Sequence, residues 1–455
     1  MPTLNSALSV ATQSLQAQEL ELQITNNNIA NANTPGYSRE TVSLSESTPS
    51  QSGTASTGNG VQINGVQAIR DELLSLRIQQ QTSDQSSSDA QVNALNQIQT
   101  LFPSSGTSLA SSFSSFFTSL SALSTNPTST PARQTALQSA QTLVNQFNSI
   151  SSGLTGPTSA LNFTITTDIS QVNELSSQAA TLNESLIEQS AAGQNTSTIS
   201  DQLSQVEVDL SKLTNISVVH TAQGDSITTG NGTPLVLGNR SYNLSTANDS
   251  NGNANILDSA GVDVTSKITS GDLGGTLQVR DTQIPALLSS LDTLANQFAT
   301  AFNAAQTTGY DQNGNAGAAL FTIPTTVAGS AANIKLATTD PTLIAASSDG
   351  SSGSNGNVAN LTVLQTKALS NGQSATSQSS NLIYQIGSLT ATATTNSTSL
   401  AQSLAALQNQ QSSISGVSID QESANLIQFQ QAYAAAAKVV STIQALFTTT
   451  INMIN

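Results

Sequence analysis

Both ends of the chain carry apolar residues at every seventh position, and this repeat limits most strongly what the chain can fold into. Near the amino terminus a second row starts at Leu4 and Ala11 and then becomes polar. The seven-residue repeat is the seam of a coiled coil, so each end is predicted to be a long amphipathic helix. The first amino-terminal row consists of Met1, Leu8, Leu15, Leu22 and Ile29.

The carboxyl-terminal repeat is longer and has two rows. Two interpretations stay open: each helix packs on its own globular domain, or the two helices pack on each other. The presence of a seam at both ends favours the second interpretation. The candidate assembly residues are Leu4, Leu8, Leu15, Leu22 and Ile29 (the N-terminal seam) and Leu426, Phe429, Tyr433, Val440, Ile443, Phe447 and Ile454 (the C-terminal seam).

Between the seams the pattern changes from helical to strand-like and back. The segment GLTGP, residues 153–157, is expected to kink or break a helix. Short strand-type runs separated by Gly, Asn and Asp, including TLQVRD at 276–281, fill residues 214–280. LFTIP and NIKLAT are expected to pair. Helices are predicted over 71–101, 107–123, about 131–152, 168–213, 282–306 and 375–414, and strands over 41–44 and 61–69.

These segments predict a mainly α fold with a small β insert, built from nested, discontinuous domains. The terminal helices form a coiled-coil pair, a helical bundle forms the middle domain, and a small β domain lies outermost. The predicted domains are 1–34 plus 417–455, 35–213 plus 275–416, and 214–274.

Composition excludes several classes of protein. The net charge is −16 with only 11 Lys and Arg residues, so a basic surface for nucleic acid or an anionic membrane is not expected. The chain has no Cys, which excludes thiol nucleophiles and Cys-ligated metals. The first residues lack a basic segment followed by an apolar run, and no apolar run approaches the ~18 residues of a membrane span. We therefore expect no cleaved secretory signal.

Residues for catalysis are scarce. The single histidine, His220, lies in a short β-type run, where a surface or packing role is expected. The segment DQNGNAG at 311–317 lacks the acidic twelfth residue of a calcium loop, because Thr322 stands there. Neither a metal, a cofactor nor an enzymatic activity is therefore expected.

The segment NNNIANANTPGYSRE, residues 26–40, closes the first helix. Asn side chains can cap a helix end and bond to loop backbone, and Pro35-Gly36 turns the chain. Tyr37 brings a ring with a polar tip to the start of the next domain. The candidate motif residues are Asn28, Asn31, Asn33, Thr34, Pro35, Gly36 and Tyr37.

This segment resembles the amino-terminal motif of the flagellar axial proteins, the rod, hook and hook-associated set. SGVSIDQESANLIQFQQAYAAAAKVVSTIQALFTTTIN, residues 415–452, is similar to the carboxyl-terminal motif of the hook-associated protein 1 family. LSKLTNISVV, GGTLQVRD and QFATAFNAAQTTGYDQNGNAG agree with that family in order and spacing. The chain departs from it at 198–213, which lacks an acidic and basic run, and in its short insert.

The resemblance implies a structural protein of the hook–filament junction that assembles as a ring on the distal end of the hook. It implies export through the flagellar type III pathway without a cleaved signal, and an extracellular location in the flagellum. The implied partners are other copies of the chain, the hook protein, hook-associated protein 3 as second junction protein, and an export chaperone at the C-terminal helix. Two alternatives stay open: a hook or rod subunit, and an export-linked enzyme or adhesin with a functional insert at 214–280.

Overall fold

The computed structural model describes residues 2–52, 55–102, 108–221 and 223–453. Its helices are α1 Pro2–Asn31, α2 Glu72–Gln99, α3 Leu109–Thr125, α4 Thr130–Ala191, α5 Ser197–Leu213, α6 Gly271–Gln278, α7 Ile284–Gln306, α8 Ser330–Asn333, α9 Gly356–Thr362, α10 Ala375–Ser415 and α11 Ile419–Asn452. Its strands are β1 Glu40–Glu46, β2 Ser50–Ser52, β3 Ala55–Thr57, β4 Val61–Ala68, β5 Ile216–Thr221, β6 Gly224–Thr229, β7 Pro234–Leu237, β8 Arg240–Ser241, β9 Ser245–Asn248, β10 Ala254–Leu257, β11 Phe321–Thr322 and β12 Lys335–Leu336. The predicted fold class, mainly α with a small β insert and long terminal helices, is confirmed.

The strands form small antiparallel sheets. β5, β6, β7 and β8 make a four-stranded sheet in sequence order, and β1 pairs with β4 as the two arms of a hairpin. β11 pairs with β12, so the predicted pairing of LFTIP with NIKLAT is confirmed. Both pairs β2–β3 and β9–β10 are antiparallel as well.

The chain divides into two compact units, each built from distant segments. Unit 1 comprises Met1–Ser83, Gln171–Leu244 and Leu400–Asn455, and unit 2 comprises Asp84–Ser170 and Ser245–Ser399. These borders differ from those of the three predicted domains, and the three-domain division stays a prediction.

Unit 2 has an aromatic core. In α3 the apolar residues recur at helical spacing, so that Phe113, Phe116 and Phe117 all turn inward and are buried. The ring centroids of Phe113 and Phe298 of α7 lie 4.9 Å apart in an edge-to-face arrangement, the geometry that aromatic quadrupoles favour. Ser108 caps α3 by accepting a hydrogen bond from the Ser111 amide at 3.1 Å.

Residues 153–157 do not break the helix, so the prediction of a break there is wrong. α4 continues through Pro157. A proline inside a helix removes one backbone hydrogen bond and costs about 3 kcal/mol. The buried side chains of Ile150, Leu154 and Leu161 lie on both sides of this position and belong to the core of unit 2. Burial of these side chains offsets the cost, at about 1.5 to 3 kcal/mol for each.

The strand predicted at TLQVRD is also wrong. Residues Gly271–Gln278 form α6, and the π-helical turn Val279–Gln283 leads into α7. Gly275 allows this helix to lie against the backbone of α2, since an added Cβ would stand 2.1 Å from the carbonyl oxygen of Ser87. Close packing of helices, which local β propensity does not reveal, therefore decides the structure here.

Unit 1 contains the terminal helices. α1 packs along α11, and the β1–β4 hairpin also lies against α1. At the hairpin tip, Gly60 stands close to the backbone of Val10, where an added Cβ would come within 3.4 Å of its Cα. The two predicted terminal helices are thus present, and they pack on each other.

Candidate assembly site at the terminal helices

The seam residues differ in their burial along the helix pair. Ile443 is buried, Tyr433 is exposed, and Ile454 lies outside the described residues. The half-buried members are Leu4, Leu8, Leu15, Leu22 and Ile29 of the N-terminal seam and Leu426, Phe429, Val440 and Phe447 of the C-terminal seam. Two helices alone thus leave most seam side chains partly in water.

The buried positions of α1 are small or polar. Ala11, Ala17, Thr25 and Asn28 are the α1 residues with the least exposure. Small side chains let neighbouring backbones approach closely, so they lie where the packing around α1 is tightest. The larger seam residues line the sides of this contact.

Asn28 is the centre of a buried hydrogen-bond network. Its Nδ2 donates to the backbone oxygen of Glu40 at 2.9 Å, and its Oδ1 accepts from the amide of Glu40 at 2.9 Å. This reciprocal pair acts as a backbone-like bridge between the end of α1 and the start of β1. We call the side chains of Asn28, Tyr37, Arg39, Glu40 and Glu422 the Asn28 network.

Glu422, in the first turn of α11, joins the network from the other end of the chain. Its Oε1 accepts from Nε of Arg39 at 2.7 Å, and its Oε2 accepts from Nδ2 of Asn28 at 3.2 Å. The Arg39 amide also donates to the carbonyl oxygen of Ser415 at 2.8 Å. Because the Glu422 side chain is 2% exposed, these hydrogen bonds replace the contacts with water that its carboxylate has lost.

The loop that closes α1 is a tight turn. The amide of Thr34 donates to the carbonyl oxygen of Asn31 at 2.9 Å, and the amide of Tyr37 donates to that of Thr34 at 3.2 Å. Gly36 has φ of 78°, which a residue with a side chain rarely adopts. Asn33, Thr34, Pro35 and Gly36 are exposed, so this side of the loop is open to a partner.

Tyr37 joins the turn to the network. Its hydroxyl donates to Oδ1 of Asn28 at 2.8 Å. Burial raises the pKa of the Tyr37 hydroxyl above its usual value, and the negative charges of Glu40, Asp201 and Glu422 raise this pKa further. The hydroxyl therefore keeps its proton and remains a donor.

A second set of bonds holds the same loop to α5. The Ser38 hydroxyl donates to Oδ1 of Asp201 at 2.7 Å, and Nη2 of Arg70 donates to the same oxygen at 2.7 Å. Asn195 donates to Oε1 of Glu40 at 2.9 Å. The end of α1, the hairpin, α5 and the start of α11 thus meet at one point of unit 1.

The predicted motif includes Asn28 and Tyr37, which contact each other in the structure, but it did not include their neighbours Arg39, Glu40 and Glu422. One feature of the sequence did point to Glu422. Glu422 occupies the same heptad position as Phe429, Ala436 and Ile443, so a carboxylate stands in an apolar row and requires a partner.

Several large apolar side chains of α11 are exposed although this helix packs on α1. Ile427, Val439, Leu446 and Ile451 are each exposed by half or more. By length and composition alone, one helical segment of the described chain, Ala375–Asn452, could cross a membrane. This corrects the expectation from uninterrupted apolar runs, because mean hydropathy tolerates interrupting polar residues. The predicted absence of a membrane partner stays a prediction.

The two other candidates from the sequence, His220 and the turn at 311–317, are held by local contacts. His220 lies opposite Asp225 in the β5–β6 pair, with Nδ1 2.6 Å from Oδ1 of Asp225. Asp311 accepts from the amides of Asn313 and Asn315 at 2.8 Å each, so its carboxylate orders its own turn. Within the described residues, no three His, Asp or Glu side chains form a group that could hold a metal ion.

Comparison with known proteins places this arrangement in a family. Residues 95–321 match the model for the flagellar hook-associated protein FlgK helical domain. Residues 8–37 match the flagella basal body rod protein model, and residues 408–453 match the flagellar basal body rod FlgEFG protein C-terminal model. The flagellar hook-associated protein 1 of Bacillus subtilis (strain 168) is 30% identical over 98% of this chain and 97% of its own length. The chain belongs to the flagellar hook-associated protein 1 family.

Other members of the hook-associated protein 1 family agree. The Escherichia coli (strain K12) protein is 26% identical over 99% of this chain and all of its own length. The flagellar hook junction protein FlgK from Burkholderia pseudomallei has the same fold, with a TM-score of 0.67 and 17% identity over 75% of this chain and 100% of its own. The chain is therefore a structural protein of the bacterial flagellum and not an enzyme, as predicted.

Proposed function

We propose that this chain is a structural subunit of the junction between the flagellar hook and filament, and that it assembles there through α1 and α11. Membership of the hook-associated protein 1 family supports the location. The observation that carries the proposal is that several large apolar side chains of α11 remain exposed although this helix packs on α1.

A helix pair of this kind is incomplete on its own. Isolated helices are marginally stable in water, and most of their stability in proteins comes from burying an apolar face. Covering side chains such as Ile427, Val439 and Leu446 contributes roughly 25 cal/mol for each Å² removed from water. Neighbouring copies in a ring supply that cover, and the half-buried seam residues become part of a continuous core.

The Asn28 network orients the pair. It attaches the end of α1 and the start of α11 to the hairpin through hydrogen bonds of Asn28 with Glu40 and Glu422. Glu40 also accepts from Asn195, which lies just before α5. A rigid attachment lets contacts made by the helices fix the position of the rest of unit 1 in an assembly. The exposed loop at Thr34–Gly36 is the part of this attachment that a neighbour can reach.

A subunit at the hook–filament junction has further partners. The hook protein lies on one side of the junction and hook-associated protein 3 on the other. The chain reaches the outside of the cell through the flagellar type III pathway without a cleaved signal. The C-terminal helix α11 is the dock for an export chaperone before assembly, since its exposed apolar side chains must be shielded until other copies cover them.

The test is a clean deletion of the gene in the source bacterium, with hooks, filaments and secreted flagellin measured separately. Intact hooks, missing filaments and flagellin in the medium are the expected result, and complementation with the wild-type gene should restore filaments. Loss of the hook would instead favour a hook or rod subunit, the alternative that the two rod-protein matches at residues 8–37 and 408–453 support. Normal flagella would refute both.

A further inference from the structure

A buried carboxyl group of unit 1 has no part in the Asn28 network. Glu207, in α5, is 2% exposed, and its Oε2 accepts a hydrogen bond from Nε2 of Gln79 in α2 at 3.0 Å. Within the described residues, no donor reaches its other oxygen, Oε1. A carboxylate in that position would be costly, because a single neutral donor does not replace the water that a buried charge loses. Glu207 therefore needs either a cation or a proton.

No cation pairs with Glu207 in the part of the chain that the structure describes. Glu207 is absent from the ion pairs found there. Arg70 attracts it at longer range. However, Nη2 of Arg70 donates to Oδ1 of Asp201 at 2.7 Å and to the carbonyl oxygen of Ser197 at 2.8 Å. Because the guanidinium is engaged by these acceptors, a proton is what neutralises Glu207.

The neighbour of Glu207 is a second carboxyl group, that of Asp225 in β6. The two carboxyl groups form a side-chain hydrogen bond, and two carboxylates can do so only if one of them is protonated. Since Oε2 of Glu207 already accepts from Gln79, we place the proton on Oε1, which then donates to Asp225. Burial, and after it the negative charge of Asp225, raises the pKa of Glu207 to about 8.

The position of Asp225 is fixed by its backbone and by its side chain. Its amide donates to Oδ1 of Asn183 in α4 at 2.8 Å, and its carbonyl oxygen accepts from Nδ2 of Asn183 at 2.8 Å. Oδ1 of Asp225 lies 2.6 Å from Nδ1 of His220 in β5. Asp225 therefore cannot turn away from Glu207 without losing His220. The contact between the two carboxyl groups thus ties the β5–β6 pair to α5.

We propose that Glu207 and Asp225 share one proton, and that this proton holds the β5–β6 pair on α5 and is released as pH rises. When it leaves, two negative charges stand side by side in a buried place, where their repulsion is stronger than in water. The proton has a route to solvent, because the exposed fraction of the side chains increases from Glu207 to Asp225, at 14%, and His220, at 47%. This device is independent of assembly through α1 and α11.

The direction of the pH effect follows from the two states of Glu207. In an opened or unfolded chain this carboxyl group has an ordinary pKa of about 4.3, whereas in the folded chain its pKa is about 8. The attachment is therefore at full strength below about pH 4 and is lost progressively as pH rises through about 8. Between these limits, opening of the β5–β6 pair releases one proton, so its equilibrium constant should rise by up to about tenfold per pH unit.

Hydrogen exchange of the full-length protein between about pH 5.5 and 7.5 tests this dependence, with each rate divided by that of an unfolded peptide at the same pH. The variant Glu207→Gln cannot ionise, keeps an acceptor for Gln79 and donates its amide to Asp225. Amides of β5 and β6 should lose about 10 to 100 times more protection over this range in the wild-type protein than in the variant. Glu184→Gln removes an exposed carboxylate from α4 and should keep the wild-type profile. Equal profiles in the wild-type protein and Glu207→Gln would overturn the proposal.

Asp225→Asn, measured up to about pH 9, separates a shared proton from burial alone. It removes the negative charge next to Glu207 while Glu207 stays buried, so the loss of protection should end at a lower pH than in the wild-type protein. Identical profiles in Asp225→Asn and the wild-type protein would contradict the sharing. This comparison remains valid if Glu207→Gln fails to fold. A wild-type profile of β5 and β6 without pH dependence would refute the proposal with no variant at all.

Discussion

Replacement of Glu422 by alanine should weaken the attachment of α11 to α1. The change removes a charge-assisted bond to Arg39, worth about 1.5 to 3 kcal/mol, and one of the acceptors of Asn28, worth about 0.5 to 1 kcal/mol. Asn28 keeps the carbonyl oxygen of Glu40 as acceptor, and the Arg39 side chain is 19% exposed and can bind water. The expected loss of stability, about 2 to 4 kcal/mol, is therefore similar to or smaller than the 3 to 5 kcal/mol lost when one partner of a fully buried ion pair is removed.

Hydrogen exchange of the free protein measures this loss. Amides at the end of α1 and the start of α11 should exchange about 30 to 1,000 times faster in Glu422→Ala, because each 1.4 kcal/mol is a factor of ten in an opening equilibrium. Asp420→Ala removes an exposed carboxylate from the same turn and is the control. Glu422→Gln keeps an acceptor for Asn28 and should be intermediate. Equal protection in Glu422→Ala and Asp420→Ala would refute the role of the Asn28 network.

Three further changes test other parts of the molecule. Leu426→Asp combined with Val440→Asp should leave the middle of the chain folded, with most of the helical circular dichroism signal retained, but prevent incorporation into flagella. Normal swimming would contradict the role of the C-terminal seam. Burial, with Asp272 nearby, raises the pKa of Asp168 to about 7, so the folded state holds this proton more tightly than the unfolded state. This stabilisation is complete below about pH 4 and is lost as pH rises through about 7, and urea titrations of Asp168→Asn should show a weaker decline over that range. Gly36→Ala should lower the free energy of unfolding by about 1 to 2 kcal/mol, because Gly36 has a positive φ. Gly156→Ala, inside α4 with open space around it, should raise the free energy of unfolding by about 0.5 to 1 kcal/mol. Thermal unfolding measures both changes, and equal effects would contradict the backbone argument.

Long periodic elements were predictable from sequence because their signal is repeated over many turns. The helices α1, α10 and α11 and the strands β1 and β4 agree with the predictions. The errors occur where a local signal competes with packing. Pro157 predicts an interruption, but the buried Leu154 and Leu161 hold the helix together. TLQVRD has β-forming residues, but Gly275 beside it permits a close contact between α6 and α2.

The candidate site was predictable only in part, for a related reason. The Asn-rich turn is a local motif, and its residues Asn28 and Tyr37 do contact each other. Glu422 is distant in sequence, and nothing near it indicates that its partner is Arg39. Only the misplaced charge in an apolar row pointed to a buried partner, without identifying which one. The assembly role of both seams stays a prediction until the variants above are measured.

The bond between Asn28 and Glu422 also has a consequence for the order of folding, since it spans 394 residues. Closing a flexible loop of that length costs about 5 kcal/mol in chain entropy, so this contact is a poor starting point for folding. Unit 2 ends at Ser399, and its aromatic core needs no residue beyond that point. We expect it to form first during synthesis or translocation, and its folding shortens the remaining flexible loop. The terminal helices then close last, so a nascent or emerging chain keeps its assembly surfaces apart until its final segment is free.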